Sequence, residues 1–98
     1  MAVQVGAHGF DLTDGLREAC QAESDEKLRP LAVSQFSARW ALSQEALLHV
    51  AHLSWSDGQF HGDVTAKSGD MYVSIHQAAK KASEQIKKVH DKAQNRSS

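Results

Sequence analysis

The last third of the chain, residues 69–92, constrains the fold most, because it has the pattern of one long amphipathic helix. Asp70 can accept hydrogen bonds from the first free backbone N–H groups of such a helix, and no proline or glycine follows it. Apolar residues recur at spacings of three and four: Met71, Ile75, Ala78, Ala79, Ala82, Ile86 and Val89. We therefore predict a helix whose apolar stripe packs on the core of the domain.

A second row of residues lies on the polar side of this predicted helix. At about 100° per residue, its members fall within roughly 40° of one another. They are Lys81, Gln85, Lys88 and Lys92. The row offers three ammonium groups and one amide, which makes it the first candidate binding surface. The alternative is a solvated helix face whose lysines serve only solubility.

Length and composition indicate one small domain without cofactors. The 98 residues include a single cysteine, Cys20, so an intramolecular disulfide is excluded. No cysteine and histidine spacing resembles a metal site, and no glycine-rich phosphate loop follows a strand. The sequence has no charged leader, and no apolar run approaches the roughly 20 residues that span a bilayer. We predict a cytoplasmic domain over residues 1–92 and a disordered tail over residues 93–98, with no metal, cofactor, membrane partner or small-molecule substrate.

Charge is distributed unevenly, although the formal net charge is only −1. Residues 71–98 carry six basic and two acidic side chains, whereas residues 11–29 carry six acidic and three basic ones. A polyanion such as RNA is attracted to the basic side of such a dipolar molecule. The distribution therefore permits a nucleic-acid partner that the net charge alone would argue against.

The first part of the chain predicts a strand followed by a helix. Val3 and Val5 alternate with polar or small residues, which is typical of a strand with one buried face. Thr13 is a plausible N-cap for a helix whose apolar face Ser24 interrupts. Pro30 either ends this helix or bends its last turn. The segment from Pro30 to Phe36 fits either a last helical turn or an extended lead-in.

The middle of the chain predicts three further strands, because its apolar pattern switches to a period of two. Two of these strands are joined by a turn with Asp57-Gly58 at its centre. Their alternating apolar residues are Phe36, Ala38, Trp40 and Leu42, then Ala51, Leu53 and Trp55, then Phe60, Gly62, Val64 and Ala66. The fold class is therefore α+β, in the order β-α-β-β-β-α, with a four-stranded sheet, both helices on one face and the other face solvated.

Catalytic chemistry finds little support in the sequence. His49 and His52 are three apart in a strand and so face opposite sides, and Cys20 lies on an apolar stripe where a thiol is usually inert. Trp40 and Trp55 are in phase with the apolar residues of their strands, so we assign them to the core and not to base stacking. We predict that the protein is not an enzyme and has no catalytic residues.

Several segments together resemble the ribosome hibernation promoting factor family, which includes the ribosome-associated inhibitor proteins and proteins once labelled sigma modulation proteins. The resemblance covers roughly Val3 to Lys92 and needs little gapping. It rests on the order of elements, the FDLTDGLRE segment, the strand with His61, and GDMYVSI followed by Lys81, Gln85, Ile86, Lys88 and Lys92. Its most specific piece is Asp70-Met71-Tyr72 with Ile75.

This resemblance implies a domain that binds the small ribosomal subunit, through ribosomal RNA and ribosomal proteins, in the cleft between head and body. Members of the family occupy the path of messenger RNA and the tRNA sites in stationary or stressed bacteria, so translation stops without any catalysed reaction. The chain resembles the short form, whose members in some bacteria act with a separate modulation factor to pair ribosomes into inactive dimers. Off the ribosome we expect a monomer.

The implied RNA contacts come from both helices. Lys81, Lys88 and Lys92 are expected to contact phosphates, with Gln85 as a polar contact, and Arg17 and Lys27 to contribute from the first helix. His90 adds a contact that depends on pH, because protonation places a positive charge near Lys88 and Lys92.

The chain also departs from the family pattern, which keeps other functions open. Acidic residues stand along the first helix at Glu23, Asp25 and Glu26, and Glu84 stands where a basic residue is common. The alternatives are a protein–protein adaptor that presents the acidic first helix to a basic partner, and a domain that recognises double-stranded RNA by shape. A small enzyme is a further alternative, and it would need a pocket that holds histidines with a carboxylate.

Overall fold

The structure is a computed structural model that describes residues 2–96, with side chains described for residues 2–92. Its elements are β1 (Ala2–Ala7), α1 (Asp14–Glu23), β2 (Phe36–Glu45), β3 (Leu48–Asp57), β4 (Phe60–Ser68) and α2 (Met71–Arg96). The four strands form one sheet in the order β1-β2-β3-β4, with β1 parallel to β2 and the other pairs antiparallel. The predicted α+β fold is therefore confirmed.

The end of α2 differs from the predicted domain boundary. The helix continues to Arg96 and so extends into the segment that was predicted as a disordered tail, residues 93–98. Ser97 and Ser98 lie outside the described residues.

The core lies between one face of the sheet and the two helices. The predicted stripe of α2 is buried from Met71 to Ile86, and every second residue of β2 from Phe36 to Leu42 is buried opposite it. Trp40 and Trp55 are 1% and 2% exposed, so their assignment to the core is confirmed. The other face of the sheet carries mostly polar and small side chains that are exposed or half-buried, so it is largely solvated as predicted. Its apolar exceptions in β3 are Leu48, which is exposed, and Val50, which is buried.

Ser24 does not interrupt the core, contrary to the prediction. It is fully buried at the junction where α1 gives way to a π-helical turn, Ser24–Leu28. Its Oγ donates to the carbonyl of Cys20 over 2.8 Å and accepts from Trp40 Nε1 over 2.9 Å. A buried indole N–H needs an acceptor, and sequence periodicity cannot show that a polar residue on an apolar stripe provides one.

Replacing Ser24 by alanine is expected to destabilise the domain by about 1–3 kcal/mol, because the buried N–H of Trp40 then loses its acceptor. The free energy of unfolding in urea, followed by circular dichroism, measures this loss. Ser83→Ala is a matched control, because the Ser83 hydroxyl also bonds a helix carbonyl, that of Lys80, but lies at the surface. Equal effects of the two substitutions would contradict the role assigned to Ser24.

The chain between the first helix and β2 contains both a helical turn and an extended segment, the two alternatives that the sequence left open. After the π-helical turn, a 3-10 turn spans Arg29–Leu31 and contains Pro30, so the proline bends the chain out of the helix. The following backbone is extended at Ala32. Both interpretations of the Pro30 to Phe36 segment were therefore partly right.

The turn between β3 and β4 is centred one residue later than predicted. Asp57 pairs with Phe60 as the last residue of β3, which leaves Gly58 and Gln59 as the turn. Gly58 has φ of +66°, the sign that a type II′ hairpin turn requires at its first position. Asp57 is 1% exposed and accepts the backbone N–H groups of Val33 and Ser34 over 2.9 and 2.8 Å. These two hydrogen bonds hold the carboxylate inside the fold instead of in the turn.

Candidate nucleic-acid interface

The basic surface of the protein is carried by α2, whose start is fixed by a side-chain cap. Asp70 Oδ1 accepts the backbone N–H groups of Tyr72 and Val73 over 2.8 and 3.3 Å. One turn further, Ser74 Oγ donates to the carbonyl of His49 in β3 over 2.7 Å. The predicted N-cap is therefore confirmed, and the helix presents its lysines from a rigid support.

Two members of the predicted row already have partners within the fold. Lys81 is exposed, and its Nζ donates to the carbonyl of Thr65 over 2.9 Å. Gln85 is half-buried, and its Oε1 accepts from the indole Nε1 of Trp55 over 2.7 Å. An ammonium group retains further donors, so Lys81 can still bind an anion. The NH₂ group of Gln85 remains available to a ligand.

The bond between Trp55 and Gln85 explains a glycine in β4. A Cβ atom built at Gly62 would lie 2.6 Å from Gln85 Oε1 and 3.0 Å from Trp55 Cζ2. Only glycine lets the indole and the amide lie this close to the strand. The position of Gln85 on the basic helix is therefore set by the sheet beneath it.

Four lysines of α2 are exposed along the helix in addition to Lys81. They form two groups, because Lys88 and Lys92 continue the predicted row whereas Lys80 and Lys87 lie about 100° around the helix from it. The prediction from helical spacing covered only residues in one line along the helix, so Lys80 and Lys87 were missed. The exposed Glu84 lies between the two groups, so it interrupts the basic surface at its middle.

The first helix contributes less positive surface than the resemblance implies. Arg17 is exposed, but Lys27 is half-buried and its Nζ lies 2.6 Å from Glu23 Oε2. Lys27 therefore neutralises a neighbouring carboxylate within the same segment. Its proposed contact with RNA stays a prediction.

His90 also has neighbours within the fold. Its Nε2 lies 3.5 Å from Asp57 Oδ2, and its ring meets Phe60 edge to face with the ring centroids 6.0 Å apart. The side chain is 17% exposed. A proton on this imidazole would face the Asp57 carboxylate first, so a contact with RNA at this position stays a prediction.

Glu23 links the two helices through His76 and also bonds Lys27 in the turn that follows α1. Its Oε1 lies 2.8 Å from His76 Nδ1 of α2, and its Oε2 bonds Lys27. Burial by itself raises the pKa of Glu23, but the hydrogen bonds and charges of Lys27 and His76 outweigh burial and lower that pKa below its ordinary value. The ionised carboxylate is thus the form that the fold stabilises.

Acid is therefore expected to weaken the domain at Glu23. Because its folded-state pKa is lowered, its contribution to stability is complete above the ordinary glutamate pKa of about 4.3 and is lost as the pH falls through the folded value. Glu23→Gln should remove this part of the pH dependence. The midpoint of urea unfolding, measured from pH 6 down to pH 3, should therefore fall less steeply with acid in the variant. Parallel curves for the two proteins would contradict the assignment.

The buried thiol has no place in the candidate interface. Burial raises the pKa of Cys20 to about 12, so the group is a neutral thiol near pH 7. This agrees with the interpretation that Cys20 is a core residue.

Within residues 2–96, no helix is both long and apolar enough to cross a membrane.

Comparison with known proteins identifies the family. Residues 3–94 match the family described as sigma 54 modulation protein / S30EA ribosomal protein, and the chain belongs to this family. No match was found among curated protein sequences.

The fold is shared with two solved structures. The N-terminal domain of Thermus thermophilus Protein Y superimposes with a TM-score of 0.82 at 18% identity, covering 91% of this chain and 99% of that one. A ribosomal subunit interface protein from Coxiella burnetii superimposes with a TM-score of 0.81 at 18% identity, covering 93% of this chain and 99% of that one.

Proposed function

We propose that this protein is a ribosome hibernation factor without catalytic activity, which binds the small ribosomal subunit in the channel of messenger RNA and tRNA. The observation that carries the proposal is the group of exposed lysines on α2, held on a rigid sheet in a chain of the S30EA ribosomal protein family. The Coxiella burnetii protein of the same fold is a ribosomal subunit interface protein, which supports the same partner. Translation would then stop by occlusion in stationary or stressed bacteria, with no reaction at the site.

The proposed binding to ribosomal RNA is electrostatic. Lys81, Lys88 and Lys92 contact phosphates, Gln85 donates from its NH₂ group, and Lys80 and Lys87 extend the surface around the helix. Arg17, Lys27 and His90 are secondary contacts. Lysine contacts of this kind position a protein on folded RNA without reading its sequence, which suits a partner whose shape supplies the specificity.

Co-sedimentation in sucrose gradients with separated ribosomal subunits tests the proposal. The protein should migrate with the small subunit at low salt and should dissociate as salt rises. Each phosphate contact should contribute a slope of about −0.7 to −0.9 to log K against log salt.

A plain RNA duplex of similar charge should bind more weakly than the small subunit. Equal affinity for the duplex would instead favour a domain that recognises double-stranded RNA.

A competition experiment tests the site on the subunit. Small subunits loaded beforehand with messenger RNA and tRNA should exclude the protein, because the proposal places all three ligands in one channel. Undiminished binding to loaded subunits would overturn the channel assignment while leaving ribosome binding in place. No binding at low salt, together with capture of a basic protein that survives nuclease treatment, would favour the adaptor function.

Pairing of ribosomes is a finer part of the proposal. We propose that ribosome dimers, where they form, require a separate modulation factor. Gradients of ribosomes with this protein alone should therefore show single particles. Dimers formed by this protein alone would contradict that part of the proposal.

A further inference from the structure

An apolar groove lies at the end of the molecule where both helices begin. Its floor is formed by Leu16 of α1 and Met71 of α2, and its walls by Phe10 and Tyr72. It has a volume of about 430 Å³, within the range of roughly 300–1,000 Å³ that is usual for binding pockets. Leu16 and Met71 pack into the core, whereas Tyr72 is 52% exposed, so the groove opens from the core to solvent.

The rim of this groove is acidic. Asp70 lines it. The exposed Asp11 and Asp14 follow two of its lining residues, Phe10 and Thr13, in the sequence. Glu45 adjoins the lining residue Gln44, but its carboxylate is 2.8 Å from Lys67 and is thereby neutralised. Arg17, next to the lining residue Leu16, and the partial positive charges of two helix N-termini carry less formal charge than the three aspartates, so the balance at this end of the molecule is negative.

We propose that this groove binds a basic protein segment that inserts an apolar side chain between Phe10 and Tyr72. The apolar floor provides the burial that anchors a leucine or an aromatic ring. The aspartates of the rim attract lysine or arginine on either side of that anchor and repel the phosphates of RNA. The groove thus differs in chemistry from the lysines of α2, and it serves a protein partner whether or not the proposed ribosomal function holds.

A pair of neighbouring residues on α2 provides a matched test. Tyr72 and Val73 are similarly exposed, at 52% and 45%, but only Tyr72 lines the groove. Tyr72→Ala should weaken binding about tenfold, as expected for loss of a central aromatic contact, whereas Val73→Ala should leave binding unchanged. Asp11→Lys alters the rim without touching the floor, and it should weaken binding several-fold at low salt and less at high salt.

Three synthetic peptides serve as probes, with binding followed by ¹H–¹⁵N NMR of the whole 98-residue chain. The first peptide flanks leucine and phenylalanine with lysines, the second replaces its lysines by glutamates, and the third replaces its apolar residues by serines. Only the first should shift the amide signals of the groove residues, among them Phe10, Thr13 and Tyr72. Thermal unfolding of each variant verifies that it remains folded.

Several outcomes would overturn the proposal. Equal shifts with the glutamate peptide would remove the role of charge, and equal shifts with the serine peptide would remove the role of the apolar floor. RNA that shifts the groove signals would show that the site belongs to the nucleic-acid interface. Concentration-dependent shifts without peptide would show that a second copy of the chain covers the groove.

Discussion

Replacing Asp57 by alanine is expected to destabilise the domain by about 2–4 kcal/mol, the largest effect on stability of the substitutions considered. The carboxylate is buried, and its two oxygens accept the backbone N–H groups of Val33 and Ser34. Alanine leaves both donors without their acceptor. It also leaves the segment before β2 tied to the β3–β4 turn only by the backbone bond from Gly58 N–H to the carbonyl of Gln35. Unfolding in urea, followed by circular dichroism, measures the loss.

Two further variants make this prediction specific. Asp57→Asn keeps the shape of the side chain but turns one acceptor into a donor, so its effect should lie between those of the wild type and alanine. Asp63→Ala removes an exposed carboxylate from the neighbouring strand and should change the free energy of unfolding by less than about 0.5 kcal/mol. If Asp57→Ala were as mild as Asp63→Ala, the anchoring role of Asp57 would be wrong.

Reversing the charges of Lys88 and Lys92 to glutamate is expected to have the largest effect on ribosome binding. Affinity for the small subunit should fall by a factor on the order of 100 at low salt, because two phosphate contacts are replaced by repulsion. The slope of log K against log salt should become shallower by about 2. Sedimentation with small subunits at several salt concentrations measures both quantities.

A second double variant separates the position of charge from its amount. Arg39 and Lys67 are exposed on the opposite face of the sheet, so reversing both changes the net charge equally on another surface. Breaking the exposed contact of Lys67 with Glu45 should cost little stability. Binding should fall much less in this control. Equal loss in both double variants would mean that net charge, and not the α2 surface, controls binding.

The fold could be predicted because local patterns agree with one another along the chain. The apolar stripe of α2, the Asp70 cap and the alternation from Phe36 to Leu42 each specify an element without reference to the rest. The same regularity placed Trp40 and Trp55 in the core. These features depend on residues at most a few positions apart, which is the range that a sequence pattern reveals.

Contacts between distant residues account for most of what the sequence did not reveal. Ser24 bonds Trp40, Asp57 bonds Val33 and Ser34, and Gln85 bonds Trp55, at separations of 16 to 30 residues. By local pattern, Ser24 interrupted an apolar helix face, Asp57 lay in a turn and Gln85 lay on a polar helix face. Their partners become apparent only when the strands and helices are packed together.

The sequence also predicted the candidate site only in part. The lysine row of α2 followed from helical spacing alone, because exposure on one helix is a local property. The partner of Lys27 was available from helical spacing but was missed, whereas the partner of His90 was not available from spacing. Lys27 was placed on a basic surface although Glu23 stands four residues before it, at the spacing where helical side chains meet. His90 faces Asp57, which is far away in sequence.

The parallel pairing of β1 gives its backbone two unlike sides. His8 donates its N–H to the carbonyl of Leu42, and by strand alternation the N–H groups of Gln4 and Gly6 also point towards β2, whereas those of Val3 and Val5 point away. Amide hydrogen exchange along β1 should therefore alternate between slow and fast from one residue to the next. The same alternation leaves the backbone N–H and C=O groups of Val3 and Val5 pointing away from the sheet, without a neighbouring strand to bond in the part of the chain that the structure describes. This edge is therefore the place where another extended chain could add to the sheet.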